Sequence, residues 1–227
     1  MGLFLALSGV VDANSNDVQD ALVDFARKHG GGFELAEGTT NTPNIGVITR
    51  RGPNVTVLYP DSFFEWDDAS QHISETLEKA VFSFHIHDGD LWMFVLFRNG
   101  KEIGWFNPVP DYWEELSPET KAQWQGDASL IGDLVPGVSP EAVAKYLVEW
   151  DLETESPEKA YPDDEFTICD CWQMCDFMRK VGLDYPVGDD GAIHGETFRL
   201  WTKHFPFRKP GQGSSPLDSK KPWWKFW

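Results

Sequence analysis

The chain predicts an α+β fold on a mainly antiparallel sheet, and three observations carry that expectation. Apolar strand-like runs are joined by short turn signals, at Arg50-Arg51-Gly52-Pro53, Asp88-Gly89 and Asn99-Gly100. Two amphipathic helical stripes interrupt those runs. After Asn107-Pro108-Val109-Pro110 the pattern turns helical. The expected order is β-α-β-β-β-α-β-β-β, with helices on one face of the sheet, C-terminal helices covering the other, and a flexible C-terminal tail. A chain of 227 residues can bury a sizeable core. Its expected parts are a sheet region over 1–110, a helical region over 111–205 packed on it in one globular unit, and a linker and tail over 206–227.

Residues 3–11 are strand-like, with no basic residue before the apolar run, so they read as a first strand and not as a signal peptide. Asn14-Ser15-Asn16-Asp17 offers helix N-cap chemistry, and Val18, Ala21, Leu22, Phe25 and Ala26 follow as one stripe. Gly30-Gly31-Gly32 ends that helix, because glycine takes left-handed dihedrals at least cost. A short strand at 33–36 precedes a hairpin of 45–49 and 54–59. A second helix over 66–79 turns Trp66, Ala69, Ile73, Leu77 and Ala80 inward. The stretch 80–107 then reads as three strands. Ser117-Pro118-Glu119 and Ser139-Pro140-Glu141 each place proline just after a serine cap, opening helices over 118–125 and 140–150. A shorter helix is expected over 128–134, another over 168–181, and an apolar element of unassigned type over 198–204. Pro210 to Ser219 has linker composition.

Alternation sets Phe82, Phe84 and Ile86 on one face of the first of the three strands and Ser83, His85 and His87 on the other. A two-residue turn at Asp88-Gly89 would pair His87 with Asp90 and His85 with Trp92. That register gathers His85, Trp92, Phe94 and Trp105 on one aromatic face. His85-Ile86-His87-Asp88-Gly89-Asp90 resembles, in its two histidines, the His-x-His-x-Asp-His signature of metallo-β-lactamase-like hydrolases. Gly89 stands where that signature has Asp and Asp90 where it has His, so the family's residues do not carry over. His85, His87 and Asp90 remain candidates for a divalent metal. The competing expectation is that His85 stacks on Trp92 and His87 pairs with Asp90, with no cofactor.

Cys169, Cys171 and Cys175 lie within seven residues, an odd clustered set that points to a reducing cytoplasm and not to a disulfide framework. Drawn from one segment, they read as core packing before zinc ligation. Asp67-Asp68, Asp163-Asp164-Glu165 and Asp189-Asp190 read as solvated surface. Phosphate-loop, dinucleotide, nucleophile-elbow and kinase signatures are all missing.

The net charge of −18 is uneven: from Arg199 onward the balance is +6, and before it −24. So acidic a body repels nucleic acid and attracts basic proteins. The tail ends in Lys221-Pro222-Trp223-Trp224-Lys225-Phe226-Trp227, whose aromatic anchors suit docking on a protein, in a groove of the chain itself, or at a membrane surface. In composition this tail resembles short Trp/Lys-rich peptides that act at bacterial membranes. In charge and size the chain resembles bacterial immunity and antitoxin proteins. The expected function is an acidic intracellular module that binds a basic partner, with a docking tail. A metal-dependent hydrolase around His85 and His87, or an adaptor at the inner membrane surface acting through the tail, are the alternatives.

Overall fold

The computed structural model describes residues 2–152 and 157–207. Eight strands form a single antiparallel sheet in the order β2-β8-β3-β4-β1-β5-β6-β7. In chain order these are β1 (Leu5–Val10), β2 (Gly32–Leu35), β3 (Ile45–Arg51), β4 (Asn54–Leu58), β5 (Ala80–His87), β6 (Leu91–Arg98), β7 (Lys101–Phe106) and β8 (Glu196–Trp201). The apolar element near the end of the chain is therefore a strand. It inserts between β2 and β3, pairing Phe198 with both Leu35 and Gly46.

Helices α1 (Ser15–Lys28) and α2 (Trp66–Leu77) cover the first face. The Asn14 side chain caps α1 by accepting from the Asp17 amide, and Val18, Ala21, Leu22, Phe25 and Ala26 are its buried stripe. They pack with Val10, Ile48, Val55, Val57, Val81, Val95 and Phe97 from the sheet. The second face carries Leu7, Phe82, Phe84, Ile86, Trp92, Phe94 and Phe106. It is covered by the chain beyond β7, through α4 (Ala128–Leu134) and α5 (Gln173–Lys180) with the loops around them, while α3 (Pro118–Gln123) lies at the edge beside β7. No helix among the described residues is long and apolar enough to cross a membrane.

The hairpin register differs from the expectation by one residue. Asp88 and Gly89 do form the tight turn, both with positive φ, and the Asp90 amide donates to the His87 carbonyl. Asp90 is then left over, and His87 pairs with Leu91, His85 with Met93 and Ser83 with Val95. A further irregularity between Leu96 and Phe97 sets Val95 against Trp105. Trp92 and Phe94 thus join Phe82 and Phe84 under the C-terminal layer, and the aromatic face expected around His85 is replaced by Met93, Val95 and Trp105.

Two expected helices also shrink. Residues 140–150 form only the short 3₁₀ turns Pro140–Ala142 and Ala144–Tyr146, because the Trp150 amide donates to the Pro108 carbonyl outside the segment. The helix expected from 168 begins at Gln173, since Cys169 is left-handed (φ 70°) and Asp170 turns back to accept from the Trp172 amide.

Phe177 on α5 is the pin between layer and sheet. It is fully buried and meets Phe82, Phe84, Trp92, Phe94 and Tyr146, with ring centroids 5.2–6.1 Å away. Truncating it removes these aromatic contacts and leaves a cavity, a loss on the order of 3–5 kcal/mol. Phe177→Ala is expected to lower the unfolding free energy from denaturant titration by that amount, and a change below about 1 kcal/mol would show that the layer is not held this way.

Candidate functional site

The segment 107–195, which supplies the cover of the second face, holds 20 acidic and five basic residues, a balance of −15. Two of its carboxylates fold the layer from inside. Asp176 accepts from the amides of Glu165 and Phe166 and pairs with Arg179. Asp164 accepts from the Tyr146 hydroxyl and the Tyr161 amide, so it is a buried loop pin and not solvated surface. Many others, among them Glu119, Asp133, Glu141, Glu149, Asp189 and Asp190, are exposed. Five basic side chains cannot neutralise them.

His85 and His87 stay neighbours, with ring centroids 5.8 Å apart, but each has partners of its own. His85 stacks on Trp66, with centroids 4.7 Å apart and planes 7° from parallel, and not on Trp92. His87 sits edge-on to Phe4, Tyr112 and Trp113. Asp90, displaced from its expected pairing by the register, accepts from the Tyr112 hydroxyl. Burial drives the His85 pKa down to about 3, with a smaller push from His87, so its imidazole is neutral. Burial also lowers the His87 pKa, against the pull of Asp88 and Asp90. Among the described residues no three His, Cys, Asp or Glu side chains converge on a metal position.

Cys171 and Cys175 pack in the core under the second face, and burial pushes their thiols up to about 11 and about 12. Cys169 is only partly buried. The tail residues Lys221, Trp223, Trp224, Lys225, Phe226 and Trp227 lie outside the described residues.

One acidic residue read as surface is nothing of the kind. Asp67, in the first turn of α2, points into a cavity of about 150 Å³ bounded by the start of α2, strands β5 and β6, and the segment after β7. Trp66, His85, Met93, Val95, Trp113 and Trp124 contribute to the wall. The residue is half-buried, and its carboxyl lines the cavity. Ser83 donates to it at 2.6 Å, and Ser70 donates to Ser83 at 3.0 Å. Ser8 lies 2.7 Å from Ser70 and 2.6 Å from the Tyr59 hydroxyl. Each hydroxyl has one proton, so with Ser70 committed to Ser83, Ser8 must donate to Ser70 and Tyr59 to Ser8. Four hydroxyls are thus aligned towards one carboxyl. Asp68, the other half of that pair in sequence, is exposed.

Burial raises the Asp67 pKa to about 7; Asp68 and Glu102 add to the rise, and hydrogen bonds from Ser83 and Trp66 oppose it. Its proton is therefore in exchange at neutral pH. The only sequence trace of this site is polar residues on apolar faces: Ser8 between Ala6 and Val10, Ser83 between Val81 and His85, and Ser70 beside Ala69 and Ile73.

Because the folded pKa of Asp67 exceeds the unfolded one, its contribution to stability is complete below about pH 4 and is lost as pH rises through about 7. Asp67→Asn removes this dependence. The variant is expected to melt above the parent at about pH 8, with an advantage that shrinks as pH falls and is gone by about pH 4. A melting difference independent of pH would contradict the assignment. The thiols allow a separate check. In native protein only Cys169 should react with a disulfide reagent, and all three should react in denaturant. Rapid native labelling of Cys171 or Cys175 would place them outside the core.

No family model matches the chain, and no curated protein or solved structure matches it either.

Proposed function

We propose that this chain is an acidic protein-binding module that engages a basic partner through the exposed carboxylates of segment 107–195, with the Trp/Lys-rich tail as a second attachment point. The observation that carries this reading is the −15 balance of that segment, against −8 over residues 1–106. Such a field speeds encounter with a basic protein and disfavours nucleic acid and anionic lipid. A reducing, cytoplasmic setting accords with three free cysteines. The aromatic anchors of the tail supply the apolar contact that a charged face lacks.

The test compares two neutralised variants of the full chain. One carries Asp133→Asn, Glu141→Gln and Glu149→Gln in the acidic segment. The other carries Asp20→Asn, Asp61→Asn and Glu75→Gln on the α1/α2 side. In capture from the source cells, a basic protein should co-purify with the parent and with the second variant. It should be lost from the first variant and at high salt. Equal capture by both variants would refute the acidic face as the docking surface. Deleting residues 208–227 measures the tail: the proposal expects weaker capture, and pelleting of the parent with anionic vesicles that the deletion abolishes would point to lipid in place of protein.

A further inference from the structure

The cavity in front of Asp67 has the make-up of a small-molecule site. At about 150 Å³ it is the size of an engineered apolar cavity that takes up benzene. Three tryptophans, Trp66, Trp113 and Trp124, stand in its wall with Met93 and Val95. Among the described residues, the charged ones lining it are Asp67 on α2 and Glu114 on the segment after β7, with neither Lys nor Arg. From the elements packed around it, Asp68 on α2 and Glu102 on β7 add negative potential at Asp67, and neutral His85 on β5 adds none.

We propose that this cavity binds a small organic ammonium ion, an apolar or aromatic body of about benzene size carrying one protonated nitrogen. The argument runs through exclusion and then fit. An anion would enter a cavity whose charged groups are carboxyls and would meet no compensating donor charge. A neutral hydrocarbon would fill the aromatic walls and leave the Asp67 carboxylate facing it without a counter-charge, which is costly. An ammonium ion satisfies both parts of the wall. Its nitrogen takes the carboxylate that the hydroxyl chain of Ser83, Ser70, Ser8 and Tyr59 already orients, and its cationic flank suits the tryptophan faces. His85 matters by staying neutral, since an imidazolium stacked on Trp66 would repel the ligand from the same wall.

Binding is then linked to the Asp67 proton: the cation prefers the ionised carboxyl, so affinity should rise with pH through about 7. The linkage also involves the groups facing Asp67, namely Asp68, Glu102, Glu114 and His85. The first three favour the cation, and His85 does not change charge in this range.

The probes are benzylammonium, benzyl alcohol and benzoate, which share a ring and differ in charge, titrated into the full-length protein by calorimetry with the indole N–H resonances as the local readout. At about pH 8 benzylammonium should bind at least about tenfold more tightly than benzyl alcohol, a difference of about 1.4 kcal/mol. Benzoate should not bind. The preference should shrink towards parity near pH 5.5. Asp67→Asn should abolish the preference and its pH dependence while the far-ultraviolet circular dichroism stays unchanged. Glu114→Gln, at an exposed position that leaves the hydroxyl chain intact, should weaken benzylammonium several-fold and leave benzyl alcohol as it was. Equal or tighter binding of benzyl alcohol or benzoate, a cation preference that survives Asp67→Asn, or no binding of any probe at millimolar concentration would each overturn the proposal.

Discussion

Strands β5 and β6 are buried from end to end on both of their faces, apart from Arg98, and the rest of the molecule is arranged to meet that demand. A sheet with water on one side alternates apolar and polar residues, but here Phe82, Phe84, Trp92 and Phe94 face one way while Val81, Val95 and Phe97 face the other. Helices α1 and α2 can cover only one face. The second needs its own layer, and the chain beyond β7 provides it with helices of seven and eight residues and the loops around them. Helices so short do not hold themselves in water. They are held by what they cover, chiefly through Phe177, and by buried carboxylates that tie loop amides, as Asp176 ties Glu165 and Phe166.

That double burial also explains what the sequence made legible and what it hid. The first seven strands, the three turns, both long helices and the need for a covering layer follow from local patterns and came out as expected. The register of β5 against β6 did not, although its turn did. A one-residue slip exchanges the faces of a strand, and in a half-exposed sheet that error would turn apolar side chains to water and betray itself. With Trp92, Met93, Phe94 and Val95 in unbroken succession, both registers bury apolar groups and the pattern is silent. Asp90, the extra residue after the turn, looks like any polar turn residue. Strand β8 was hidden for a different reason: its partners β2 and β3 lie some 150 residues earlier, beyond the reach of local propensity.

Asp67 shows the same limit at the level of chemistry. Two acids in the first turn of a helix are the ordinary complement of the helix dipole, and nothing in Trp66-Asp67-Asp68 distinguishes the one that turns inward. The distinction is made by residues far away in the chain. Ser83 reaches Asp67 from β5, Ser8 comes from β1 and Tyr59 follows β4, and the segment after β7 closes the cavity. The histidines drew notice because they are rare and close together, yet their surroundings are aromatic and hold His85 neutral. The residue poised to exchange a proton at neutral pH carries no motif.

The interior carboxyls differ in what their partners permit. Asp176 meets backbone amides and a guanidinium, donors that cannot turn away and that demand an acceptor at all times. Asp67 meets hydroxyls. A hydroxyl can rotate its proton, so Ser83 can donate to a carboxylate or accept from a carboxylic acid, and Ser70, Ser8 and Tyr59 can follow. The first arrangement pins a loop in one state. The second leaves a half-buried acid free to exist in two, where it looks onto a cavity. Rigid partners go where the fold needs a fastening, and adaptable ones where the charge of a group is meant to respond to what arrives beside it.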